Sequence, residues 1–144
     1  MKQGKAGYPV TEAVLHCAAV PSGWYLQIRD WQIVPIIREW HKRRGWRDIG
    51  YHYVIPPNGA ILTGRPADQI GAGVQGHNRG VLHILMIEKS EIKQVGKFHD
   101  FYTEKQRDAV RGLVRTFAIG KVTGHNEYAP KLCPGFKVKQ EFFL

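Results

Sequence analysis

Sulfur is scarce in this chain: Cys17, Cys133 and two methionines are all that 144 residues contain. Two cysteines close one disulfide at most, so the fold cannot rest on a disulfide framework. Nor does it need one, because a domain of this length buries about two-thirds of its unfolded surface around one core. Acidic residues are also few, 12 against 21 lysines and arginines, which leaves a formal net charge of +9. That excess attracts polyanions, whether nucleic acid, anionic lipid surfaces or the charged polymers of a bacterial wall, and does not choose among them.

Long apolar runs are missing as well. No window approaches the roughly 18 residues needed to span a bilayer, so membrane insertion is not expected. Lys2 and Lys5 precede "YPVTEAVLHCAAV", which has the outline of a signal peptide, but Pro9, Glu12 and His16 interrupt it. The chain is therefore expected to be soluble and made in the cytoplasm without a signal peptide, and any export needs another route. There is no low-complexity tract, fixed-period repeat or linker. With 43% hydrophobic and 23% charged residues, the composition is that of one ordinary globular domain spanning residues 1–144.

Several elements are legible. Val10 to Ala19 alternates like a strand, which sends His16 and Cys17 to opposite faces. Pro35 suits the first turn of a helix in which Ile33, Ile36, Ile37 and Trp40 recur until Gly45 ends it. "HKRRGWR" (41–47) reads either as a phosphate-binding patch or as cations at that helix's negative end. "YHYVI" (51–55) and "AILTG" (60–64) flank "PPNG", whose Asn58-Gly59 pair predicts a hairpin. The continuous apolar run "VLHILMIE" (81–88) fits a central strand covered on both faces. Thr103 and Gln106 form a capping box ahead of a helix buried through Val110, Leu113, Val114 and Phe117, and "KVTG" is a last strand. This order implies an α/β domain with a mixed central sheet flanked by helices.

The chemistry concentrates in "GHNEYAPKLCPGF" (124–136), where Cys133 sits in a proline-flanked loop beside Lys131 and eight residues after His125. Two imidazoles and a thiolate suit zinc, and three protein ligands leave a tetrahedral position open. Spacing alone does not select among seven histidines, and a Cys17–Cys133 disulfide is the rival use of the sulfur.

"VLHCAAV", "REWHKRRGWRDIGYHYVIPPNGAILTGRP", "GHNRG" and "GHNEYAPKLCPGF", in this order over about residues 12–138, resemble the zinc-dependent N-acetylmuramoyl-L-alanine amidases. This type-2 amidase family includes short phage lysozymes and the peptidoglycan recognition proteins. The resemblance implies their fold, with His16, His125 and Cys133 as Zn²⁺ ligands and Tyr51 and Lys131 as catalytic residues. It implies hydrolysis of the amide between N-acetylmuramic acid and L-alanine, Lys131 stabilising the oxyanion and Tyr51 positioning the reacting groups.

A phage or prophage endolysin is the expected function: a monomer acting on bacterial peptidoglycan after release from the host cytoplasm. A muropeptide-binding module without catalysis is the alternative, and Cys133 argues against it; a nucleic-acid-binding protein has only charge and scattered aromatics in its favour. His77 and Asn78 are expected to line the substrate groove. His52 reads as a packing or supporting residue, and His41 and His99 as surface histidines. The chain departs from the family where many relatives have histidine in place of Gly73 and a Ser-Ile-Gly run in place of Val81-Leu82-His83. His83 thus has two readings, a hydrogen-bonded core histidine or a contact with substrate or metal.

Overall fold

A computed structural model describes residues 1–144. A two-stranded antiparallel ribbon, β1 (Lys2–Gln3) and β2 (Tyr8–Pro9), opens the chain and was not anticipated, because two-residue strands carry no alternation to read. Next come β3 (Glu12–Cys17), α1 (Asp30–Arg43), β4 (Tyr53–Ile55), β5 (Leu62–Thr63), β6 (Val81–Met86), α2 (Phe98–Phe101), α3 (Glu104–Thr116) and β7 (Lys121–Gly124). The main sheet runs β5-β4-β6-β3-β7. Three of its four pairings are parallel, and the fourth, of β5 with β4 at the edge, is antiparallel, so the sheet is mixed as expected.

All six residues of β3 and of β6 are buried, which a strand covered on both faces requires. Alternation sorts them. Ala13, Leu15 and Cys17 with Leu82, Ile84 and Met86 meet Ala109, Val110, Leu113 and Val114 of α3 in the larger core. Leu85 and Ile87 point the other way, onto Ile33, Val34 and Ile37 of α1. His16 and His83 share that second face with Leu85, just beyond the helix, where a polar site can open. No helix is long and apolar enough to cross a membrane.

The capping box of α3 forms as expected: the Gln106 N–H donates to Thr103 Oγ1 at 3.2 Å, and the Thr103 N–H donates to Gln106 Oε1 at 2.9 Å. Buried Gln106 also donates to the carbonyls of Ile55 and Ile87, tying the helix start to the ends of β4 and β6. The hairpin between β4 and β5 is present in the register Tyr53↔Thr63, with Gly59 at φ +83°, but Tyr51 and His52 lie ahead of the paired residues.

Two expectations are corrected. Pro35 lies inside α1 rather than in its first turn, since the helix begins at Asp30; Pro35 is exposed, so the hydrogen bond it cannot donate is lost on the solvent side. His41 is buried, not a surface residue, because its Nδ1 accepts the Gly50 N–H at 2.9 Å.

Candidate metal centre and groove

His16 is the penultimate residue of β3, and parallel pairing sets β7 beside it, so the turn leaving β7 brings His125 to the same end of the sheet. Cys133 returns on the loop that follows. Tyr102 holds that loop from behind by donating its buried hydroxyl to the Pro134 carbonyl at 2.7 Å, and Asn126 Nδ2 donates to Phe136 O. Three side chains from three segments thereby converge: one ligand atom each from His16, His125 and Cys133, all within 4.8 Å of one another.

The spacing fits a tetrahedral ion. Two imidazole nitrogens bound to zinc at about 2.0–2.1 Å stand roughly 3.3–3.4 Å apart. The Nδ1 atoms of His16 and His125 are separated by 3.2 Å, and Cys133 Sγ lies 3.9 Å from His16 Nδ1. The sulfur is poised as a thiolate. Contact with Cys17, and after it contact with His125, hold the Cys133 thiol far below its ordinary range, against the opposing effect of burial. The Cys17 thiol is pushed up by the same contact and by burial, so it stays protonated. Both cysteines are free.

Beside this cluster runs a groove of about 740 Å³ lined by Arg44, Trp46, Tyr51, Asn78, His125, Tyr128 and Lys131 among others. The Tyr51 ring centroid is 4.9 Å from that of His16. Burial, followed by the charge of Cys133, raises the Tyr51 pKa, which keeps the phenol protonated and able to donate. Lys131 is exposed and lines the groove.

Not every expected residue reaches the groove. Asn78 does; His77 borders a neighbouring cavity and donates Nε2–H to Glu12 at 2.8 Å. His83 is fully buried and does not line the groove, so a substrate contact is closed to it; its Nδ1 lies 2.9 Å from His16 Nε2. His52 is a packing residue as read, accepting the His83 N–H and donating to Gln69 O. Tyr128 and Glu12 were missed. Glu12 accepts from the hydroxyls of Thr123 and Tyr128 as well as from His77; burial alone would raise its pKa, and these three bonds outweigh that and lower it. His77 stacks on Tyr128 with centroids 4.1 Å apart, joining the two loops that wall the groove. The only sequence signal for this brace is that Tyr128 follows His125 by three residues, within one turn.

The chain is similar to known proteins in sequence and in fold. The family described as N-acetylmuramoyl-L-alanine amidase matches residues 6–136. The chain is 32% identical over 136 residues to the endolysin of Escherichia phage T7, covering 90% of this chain and 84% of that protein. Among solved structures it is similar to the N-acetylmuramoyl-L-alanine amidase LysC from Clostridium intestinale, at 26% identity and a TM-score of 0.66, covering 93% and 81% of the two chains. The fold is shared with peptidoglycan recognition protein LE, solved with tracheal cytotoxin, a monomeric diaminopimelic acid-type peptidoglycan (TM-score 0.72, 22% identity, 94% and 78% covered).

Proposed function

The chain belongs to the N-acetylmuramoyl-L-alanine amidase family, and we propose that it cleaves peptidoglycan in the groove beside His16, His125 and Cys133, with these three side chains holding zinc. The convergence of two imidazoles and a thiolate at one end of the sheet carries this reading. Zinc in such a donor set supplies Lewis acidity, which polarises an amide carbonyl and makes water a usable nucleophile near neutral pH.

The chain's own residues do the rest. The protonated Tyr51 phenol, set against His16, donates a hydrogen bond that orients the reacting water or carbonyl. As charge grows on the carbonyl oxygen, the Lys131 ammonium at the groove rim stabilises it. Asn78 shapes the groove by fixing the loop at Val74, whose N–H it accepts at 3.0 Å. Arg44 and the net charge of +9 favour an anionic polymer as the partner. The substrate bond is the amide between the lactyl group of N-acetylmuramic acid and L-alanine. The protein works as a phage or prophage endolysin, a single amidase domain over residues 1–144, monomeric, acting on the wall after release from the host cytoplasm.

Purified protein incubated with peptidoglycan should release new L-alanine amino termini without new reducing sugar ends. A chelator should abolish the release and added zinc restore it. New reducing ends, or release that persists in metal-free protein, would overturn this assignment.

A further inference from the structure

His83 is the buried histidine that the reaction leaves unexplained. Its surroundings form a directed chain. The Val74 main-chain N–H can only donate, and it reaches Asn78 Oδ1 at 3.0 Å, which fixes that amide with its oxygen toward the loop. The same oxygen lies 2.8 Å from His83 Nε2, so Nε2 must carry the proton. His83 is fully buried and no carboxylate is among its hydrogen-bond partners, so the neutral ring is the stable form and Nδ1 is bare. That bare nitrogen stands 2.9 Å from His16 Nε2, which must donate to it. A neutral His16 protonated at Nε2 has its lone pair at Nδ1, the atom that faces His125 Nδ1 and Cys133 Sγ.

We propose that His83 is a positioning residue: together with Asn78 it sets the tautomer and ring angle of His16, so that Nδ1 is presented bare to the metal. The inference rests on the zinc reading above. A second observation supports the fit of this chain to that role. A Cβ at position 73 would lie 2.4 Å from His83 Nδ1 and 2.8 Å from His16 Nε2, so only glycine leaves room for the pair. From behind, the His83 main-chain N–H donates to His52 Nδ1 at 2.9 Å, and the two rings lie nearly parallel at 11°.

The test uses the full chain, three variants and two readouts. In metal-free wild type, long-range ¹H–¹⁵N correlation should find the His16 proton on Nε2. Zinc affinity, measured by chelator competition, should fall about 10- to 100-fold in His83→Leu, which keeps the bulk but not the acceptor. His83→Gln, which can accept from His16 and donate to Asn78, should recover most of the affinity. Gly73→Ala should weaken zinc binding with every ligand intact. A proton on His16 Nδ1 in the wild type, or wild-type zinc affinity in a folded His83→Leu, would overturn the proposal. If His83→Leu does not fold, the wild-type tautomer and Gly73→Ala decide. A wild type that binds no zinc would instead sink the metal reading itself, whereas one that binds zinc and cleaves with His83 irrelevant sinks only this step.

Discussion

The main-chain N–H of Cys17 donates to the sulfur of Cys133 across 3.2 Å. The backbone of β3 therefore supports the sulfur whatever side chain stands at position 17. Cys17→Ala should keep zinc within about tenfold of wild-type affinity and lose about 1 kcal/mol of stability from the larger core. Cys133→Ser should lose both zinc and hydrolysis. Elemental analysis of the two variants checks this, and equal loss in both would favour a disulfide between them.

Lys131→Ala should lower kcat by about 10- to 100-fold while zinc content and KM change little, since the charge it meets develops in the transition state. Tyr51→Phe should behave similarly and leave the fold intact, because only a hydroxyl at the groove is removed. Steady-state release of L-alanine termini, with zinc quantified in parallel, separates catalysis from metal loss. Unchanged turnover in Lys131→Ala removes that residue from the mechanism.

Stability of the metal-free protein should fall as pH drops below about 6.5. His41 and His52 are each held down to about 4, chiefly by burial. Both accept a main-chain N–H at Nδ1, from Gly50 and His83, which protonation would abolish. The unfolded chain therefore binds more protons between pH 6.5 and 4, so stability is complete above that window and lost downward through it. From pH 7 to pH 5 each residue should cost about 2 kcal/mol. Urea titrations at the two values measure the sum, to which buried His16 and His83 add in the same direction, and a flat profile would show that these rings ionise freely in the fold.

Glu12→Ala strips the shared acceptor from Thr123, Tyr128 and His77. It should destabilise the chain by about 2–4 kcal/mol and raise KM more than it lowers kcat, because the two groove-wall loops lose their tie. Thermal unfolding and kinetics together test this. A variant with normal KM would confine Glu12 to stability.

Local pattern carried much of the fold. The alternation of β3, the unbroken apolar run of β6, the Thr103–Gln106 box and the Asn58-Gly59 turn are each written within a few neighbouring residues, though the alternation of Glu12–Cys17 is loose, so each was legible without tertiary information. The start of α1 was not, because Arg29 and Asp30 give a weaker signal than the proline that follows. His41 was misplaced because a histidine among cations looks solvated, and its partner, Gly50, is met only after the chain turns.

By itself the sequence determined the order of the main-sheet strands and of α1 and α3, the opposite facing of His16 and Cys17, and, through its similarity to the amidases, the three candidate ligands. Tertiary structure alone decided that Asn78 and His83 lie in line with His16, that Tyr128 leans on Glu12, and that His77 braces rather than lines the groove. The reason is physical: periodicity tells which face of a strand a side chain takes. Which nitrogen of an imidazole carries its proton depends on partners 5 and 67 residues away from His83, which only the packed sheet brings within hydrogen-bond reach.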